Sequence, residues 1–244
     1  MSIAISEPLV WHGAGRSVPV ELRADRRSRL SLRADASRGV LRVSLHPRTP
    51  SSQLWAFLDV NAGWIEARVA RWPVARPFAP GASVPVEGIE HIVDWEPGRP
   101  RKVEVADGVL RVGGPADGLG NRIERFLRTR ALALVEPETR ELAARLGKPV
   151  ARVAVRDTAS RWGSCSTSGG INYSWRLIFA PPEVRRSVVA HEVAHLAHMN
   201  HGREFWALAK DLYGGDMLAA RRWLKANGAS LHWIGRNPDL SSRA

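Results

Sequence analysis

The hydrophobic pattern changes in the middle of the chain, and this change constrains the fold more than any other feature. Before the glycine-rich stretch Gly113–Gly120, apolar residues mostly alternate with polar ones, as in strands with one buried face. After it, apolar residues recur every three or four positions, which indicates amphipathic helices. We therefore predict an α+β fold with a β-rich amino-terminal region over residues 1–115 and a second domain over residues 116–244.

The amino-terminal half is expected to form short strands and one long helix. Alternating apolar residues predict a small antiparallel sheet between residues 17 and 45, and a helix follows from Ser51 to about Trp72. No internal repeat is visible in the sequence. Four further strands are separated by Pro-Gly and Asp-Gly turns: Val84–Val86, His91–Trp95, Lys102–Val105 and Val109–Val112.

The carboxyl-terminal half combines helices with strands. Apolar spacing predicts a helix from Asn121 that is interrupted at Pro137, because a proline in a helix interior removes a hydrogen bond. Two strands, Val150–Val155 and Ile171–Phe179, are expected on either side of the polar loop Ser164–Gly170. This order places a small sheet directly before the most informative motif of the chain.

That motif is His191-Glu192-Val193-Ala194-His195, in a helix that Pro181-Pro182-Glu183 is predicted to begin. Two histidines four positions apart lie on one face of a helix, so both imidazoles can reach one zinc ion. Glu192 is placed to remove a proton from water at the metal. Because the neighbouring residues are apolar, the helix belongs in the core, where these polar groups need a shared partner such as a metal.

A catalytic zinc ion usually has three protein ligands and leaves one position for water. Two histidines, His198 and His201, follow the motif closely. His201 can reach the metal only if the helix ends after His195 and the chain turns back. Asn200 and Gly202 permit such a turn, because both tolerate the left-handed conformation that ends helices. We favour His201 as the third ligand and expect His198 to lie outside the ligand set.

Several short motifs occur together between Arg161 and Trp206. They are an RWGSC segment, an N-x-x-WRL strand, an APPEV helix start, HExxH and an NH-x-x-x-FW ending, in that order. In this stretch the chain resembles the YgjP-like family of predicted metal-dependent hydrolases, which are relatives of the WLM and SprT-type zincins. A weaker likeness extends over most of the remaining chain.

The resemblance implies a zincin-like (minigluzincin) domain, in which a helix and a sheet precede the active-site helix. It also implies HExxHxxxxxH ligation of Zn²⁺ by His191, His195 and His201, with Glu192 as the catalytic glutamate. In zincins of this type, a strand in front of the active-site helix binds extended peptide through backbone hydrogen bonds. Here that strand would be Arg161–Ser164 or the segment Ile171–Trp175.

These observations favour a zinc-dependent hydrolase, most simply a metallopeptidase. One alternative is a metal-dependent hydrolase of nucleotide phosphoanhydrides. A second is a nucleic-acid-associated adaptor with a structural zinc site, although such a site has no use for a base like Glu192. The sequence does not choose among four residues able to stabilise negative charge in the reaction: Tyr173, Arg161, Arg176 and His198.

Charge and cysteine content bear on partners and location. Lys and Arg number 36 against 24 Asp and Glu, so the formal net charge of +12 favours a small anionic substrate or nonspecific nucleic-acid binding beside a polypeptide substrate. No apolar run is long enough to span a membrane. With Cys165 as its one cysteine, the chain is expected to be cytoplasmic. Cys165 itself is expected to be a small buried residue in a turn rather than a ligand.

Overall fold

A computed structural model describes residues 9–27 and 29–237, and the other positions of the two predicted domains lie outside the described residues. The fold is α+β, with strands first and most of the helices later, as the sequence predicts. The described residues form two compact units. One extends to Ala75 and also includes Arg236, and the other comprises Arg76–Gly235. The domain boundary near residue 115 stays a prediction.

The described residues contain eleven strands and six α-helices. The strands are β1 (Val10–Gly13), β2 (Arg16–Ala24), β3 (Ser31–Asp35), β4 (Val40–Leu45), β5 (Ser83–Val86), β6 (Ile89–Glu96), β7 (Glu104–Ala106), β8 (Val109–Gly113), β9 (Arg152–Arg156), β10 (Gly163–Cys165) and β11 (Gly170–Ser174). The helices are α1 (Ser51–Val60), α2 (Ala62–Val69), α3 (Leu119–Arg145), α4 (Pro182–Ala194), α5 (Arg203–Tyr213), α6 (Met217–Leu231) and a 3₁₀ helix over Trp175–Phe179.

The first unit contains a four-stranded sheet in the order β1-β2-β4-β3, together with α1 and α2. The sheet is mixed rather than antiparallel, because β2 and β4 run parallel while β3 and β4 run antiparallel. Alternation of apolar and polar residues in the sequence does not reveal the direction of a strand. The predicted long helix is two helices. The side-chain amide of Asn61 donates to the carbonyl of Phe57 at 2.7 Å, which competes with the helical hydrogen bonds where α1 ends.

The first sheet of the second unit repeats the topology of the sheet in the first unit, in the order β5-β6-β8-β7. The parallel strands keep the same register, with Val20 opposite Leu41 in one sheet and Val93 opposite Leu110 in the other. The sequence GVLRV occurs in both, at residues 39–43 and 108–112. The two sheets therefore share a topology and a five-residue sequence, which are too little to be recognised as a repeat from the sequence.

Helix α3 passes through Pro137 without interruption over 27 residues, contrary to the predicted break. Its buried side extends to both sides of the proline, with Val135 and Leu142 each at most 1% exposed. Packing on this scale offsets the one hydrogen bond that proline removes. The predicted strand Ile171–Phe179 also differs, because only β11 is extended and the apolar run after it forms the 3₁₀ helix. A short apolar run fits a buried strand or a buried helix equally well.

The last sheet, in the order β10-β11-β9, lies in the same core as the HExxH helix α4. Strand β11 is central, antiparallel to β10 and parallel to β9. Ile171 of β11, Val193 of α4 and Phe205 of α5 belong to one buried cluster. This cluster packs the central strand β11, helix α4 and helix α5 together.

Candidate metal centre

Helix α4 begins where the sequence predicts, with Pro181 as its cap and Pro182 in its first turn. Glu183 in that turn favours the positive end of the helix dipole. Most of the helix is buried, including the apolar residues on either side of the motif. Glu192 and His195 are therefore carried into the core, at 5% and 8% exposure, by the packing of their apolar neighbours.

The helix ends at Ala194, with His195 as its cap, and the chain returns to begin α5 at Arg203. This reversal brings Nε2 of His201 to 3.1 Å from Nε2 of His191. One nitrogen from each of His191, His195 and His201 lies within 4.8 Å of the others. Gly202 has a φ of −74°, so the turn does not use the left-handed conformation that the sequence suggested.

The donor set of this histidine cluster fits a metal ion. Two ligands of a tetrahedral zinc with bonds of about 2.0–2.1 Å lie about 3.3–3.4 Å apart, close to the separation of the two Nε2 atoms. Nδ1 of His195 lies 3.0 Å from the carbonyl oxygen of His198; donation to that oxygen leaves Nε2 free as a ligand. Burial, with the charges of His195, His201 and Arg221, lowers the pKa of His191 to about 4. At neutral pH its ring is in the uncharged form that binds metals.

Helix α5 supports the cluster with an aromatic ring. Phe205 is fully buried, and its ring centroid lies 4.9 Å from that of His191, 4.5 Å from His195 and 4.6 Å from His201. A single rigid side chain therefore limits the orientation of all three imidazoles. His198 lies outside the cluster, with Nδ1 3.8 Å from Oε2 of Glu204.

Glu192 packs directly against the backbone of β10. A Cβ atom added to Gly163 would lie 2.5 Å from Oε1 and from Cγ of Glu192, closer than real contacts allow. Burial raises the pKa of Glu192 to about 7, against the opposing charge of Arg161. The carboxyl group is thus held beside the histidines with a proton affinity suited to exchange near neutral pH.

A cleft of about 550 Å³ opens beside these groups. Strand β10 is at the edge of its sheet, whereas β11 is paired on both sides, so Arg161–Ser164 rather than Ile171–Trp175 offers an edge at the cleft. Its lining includes Arg161, Trp162, His191, Glu192, Trp206 and Arg221.

Of the four predicted charge-stabilising residues, only Arg161 lines the cleft. The hydroxyl of Tyr173 is buried and lies 2.9 Å from the hydroxyl of Thr139. Arg176 is held by Asp157 and by two backbone carbonyls, and His198 faces Glu204. The sequence therefore offered three candidates that the fold places elsewhere.

Two further positions of interest lie in or near this cleft. Cys165 is half-buried in strand β10 rather than in a turn. Burial raises the pKa of its thiol to about 11, so it is not a thiolate at neutral pH.

Arg221 of α6 lines the cleft, and sequence reasoning missed it. No spacing rule connects Arg221 to the motif, because only the packing of α6 brings it there.

Comparison with known proteins gives one match. The family model described as YgjP-like, metallopeptidase domain, matches residues 28–227, which is most of the chain. No curated protein and no solved structure matches the chain significantly. Among residues 9–27 and 29–237, no helix has both the length and the apolar character needed to cross a membrane.

Proposed function

The chain belongs to the YgjP-like metallopeptidase family, and on that basis we propose that it is a zinc-dependent peptidase. In this proposal His191, His195 and His201 hold the ion and Glu192 is the general base. The observation that carries it is the convergence of three imidazole nitrogens within 4.8 Å beside a buried carboxyl group. The family implies a metal ion, and the donor set of neutral imidazoles suits zinc.

When bound, the ion would supply Lewis-acid polarisation and make water a stronger acid. The residues of the chain do the rest. Glu192 accepts a proton from the attacking water and delivers it to the leaving amine. Arg161 faces the cleft and stabilises negative charge that develops on the substrate carbonyl. The free edge of β10 aligns an extended peptide by backbone hydrogen bonds.

The first test is metal content together with activity. We expect about one zinc ion per chain, and we expect His191→Ala, His195→Ala and His201→Ala each to lose most of it. His198→Ala is the matched control and should keep the ion, because His198 lies outside the cluster. Full zinc in His201→Ala combined with loss in His198→Ala would show that the third ligand is assigned wrongly.

The second test separates metal binding from catalysis. Glu192→Gln keeps the size of the side chain, so zinc should remain bound while peptide hydrolysis falls roughly 10²–10⁴-fold. Zinc content and turnover are measured on the same preparation, with unstructured polypeptides and nucleoside triphosphates as substrates. Near-normal turnover by this variant would exclude Glu192 as the base. Hydrolysis of triphosphates but not polypeptides would favour the phosphoanhydride alternative.

Location and nonspecific partners belong to the same proposal. We place the protein in the cytoplasm because its one cysteine, Cys165, suits a reducing compartment. The net charge of +12 supports weak, nonspecific association with nucleic acid beside the peptidase activity. Fractionation of cells that express a tagged full chain tests the location, and recovery outside the cytoplasmic fraction would contradict it.

A further inference from the structure

Two arginines line the cleft, Arg161 before strand β10 and Arg221 on helix α6. Among the described residues, neither guanidinium group forms an ion pair or a hydrogen bond. Elsewhere on the molecule, arginines are often paired: Arg185, for example, binds Glu138 at 2.9 Å and Arg186 binds Glu141 at 2.7 Å. The cleft therefore presents positive groups whose hydrogen-bonding capacity is not used by the protein.

Arg221 is held in place by an aromatic ring. Its guanidinium carbon lies 4.7 Å from the ring centroid of Trp206. The Trp206 ring in turn lies 5.5 Å from the ring of His191 and 5.7 Å from that of His201. A stacked guanidinium keeps its edge N–H groups free, so Arg221 can bind an anion immediately beside the histidine cluster.

The charge of the lining is unbalanced. Glu192 is the one acidic residue among the residues that line the cleft, and it is already committed to the proton transfer described above. Arg161 lies within electrostatic range of Glu192, and Arg221 within range of His191. Because Arg forms paired hydrogen bonds with carboxylates in a fork geometry, a carboxylate is the natural complement of this lining.

We propose that the cleft selects polypeptide segments with an Asp or Glu side chain beside the scissile bond, bound by Arg221 on its Trp206 support. Arg161, assigned above to the charge on the substrate carbonyl, adds a second positive charge to the same cleft. The inference rests on the peptidase function proposed above and specifies its substrate class. It predicts that acidic, unstructured segments are cleaved in preference to neutral or basic ones.

The test uses matched peptides that differ only in Glu, Gln or Lys next to the cleaved bond, each acetylated and amidated at its termini. Blocked termini separate a side-chain carboxylate from the terminal carboxylate. Measurements are kcat/KM with zinc-loaded protein and, independently of turnover, equilibrium binding of labelled peptides to the Glu192→Gln variant. We expect the Glu peptide to exceed the Gln peptide roughly 10–100-fold in both, the range of one charge-assisted pair.

Variants assign the preference to a residue. Arg221→Gln should lose most of the Glu-over-Gln ratio, and Arg221→Lys should retain part of it, because lysine keeps the charge without the fork. Arg222→Gln is the matched control: Arg222 is the next residue on the same helix but does not line the cleft, so the ratio should not change. Zinc content of each variant is measured to separate loss of the preference from loss of the site.

The outcomes distinguish this inference from the function on which it rests. Equal cleavage and equal binding of the Glu and Gln peptides would overturn the inference and leave the peptidase intact. The same peptides with unblocked termini are measured in parallel, and a preference that appears only with a free carboxyl terminus would overturn the inference as well. No cleavage of any peptide by zinc-loaded protein, with selective binding of the Glu peptide retained, would overturn the peptidase proposal and leave the anion-binding site standing.

Discussion

At the scale of single residues, the contact between Gly163 and Glu192 links strand β10 to helix α4. The strand backbone approaches the carboxyl group so closely that no side chain fits between them. The φ of Gly163 is not in the left-handed region, so the requirement for glycine here is one of space rather than of backbone conformation. The position of the Glu192 carboxyl group, the proposed general base, therefore depends on the lack of a side chain at Gly163.

We predict that Gly163→Ala lowers kcat about 100-fold while zinc content and folding are retained. The added methyl group displaces the carboxylate of Glu192, and a shift of about 1 Å in a catalytic group has costs of this size. Gly98→Ala is the matched control, because nothing lies within 4 Å of the added atom. Unchanged kcat in Gly163→Ala would show that the contact does not position the base.

The raised pKa of Glu192 also predicts how stability depends on pH in chelator-treated protein. The folded state holds this proton up to about pH 7 and the unfolded chain only to about pH 4.5. Between those values the folded state binds more protons, so the contribution of Glu192 to the free energy of unfolding falls as pH rises. Glu192→Gln should then be more stable than the parent by about 1–3 kcal/mol at pH 8 and equally stable near pH 4.

Urea unfolding of the parent and of Glu192→Gln, each near pH 4 and at pH 8, measures the difference in their free energies of unfolding. An equal difference at both pH values would show that the effect is not the titration of Glu192. Such a gain in stability, at the expense of hydrolysis, is the behaviour expected when a buried carboxyl group is kept for chemistry rather than for folding.

At the scale of elements, Arg185 connects three of them. It is 4% exposed on α4, and it binds Glu138 of α3 at 2.9 Å and Glu87 in the turn between β5 and β6 at 3.3 Å. Glu87 also binds Arg130 of α3 at 2.7 Å. The β5–β6 turn, α3 and α4 are thus joined by one ion-pair network with a buried centre.

We predict that Arg185→Leu lowers the free energy of unfolding by about 3–5 kcal/mol, because it leaves Glu138 and Glu87 without their buried partner. Arg186→Leu on the same helix removes an ion pair with Glu141 that is more exposed, and it should cost no more than about 1 kcal/mol. Denaturant unfolding of both variants checks the comparison. An equal loss of free energy of unfolding in Arg185→Leu and Arg186→Leu would mean that burial of the network adds nothing to stability.

The sequence predicted these elements unevenly, for physical reasons. Periodicity located α4 and placed His191, Glu192 and His195 together, since one helix brings them close. The approach of His201 to the other two histidines depends on a reversal of the chain, which the sequence allows but does not require. Arg221 could not be predicted, because its position depends on how α6 packs. Pro137 misled the prediction of α3, because burial on both sides of the proline outweighs its local cost.

At the scale of the whole molecule, the excess of arginine sets the behaviour toward polyanions. We predict that any affinity for nucleic acid is independent of sequence and falls at least about tenfold between about 50 and 200 mM salt, as counterion release requires. Fluorescence anisotropy with labelled oligonucleotides of different sequence measures this. A tight, salt-resistant and sequence-selective complex would instead favour the adaptor function over the hydrolase.

The like topology of the two four-stranded sheets bears on how this chain reaches its native state. Strands β4 and β8 both begin with VLRV after a glycine, and each lies between one parallel and one antiparallel partner. We expect a chain refolding from denaturant to pair either strand at times with the neighbours of the other, which would slow the closing of the cores. During synthesis the ambiguity is smaller, because β1–β4 have all emerged before β8 is made. The order of translation therefore favours the native partners of β4, although the residues of β4 and β8 are much alike.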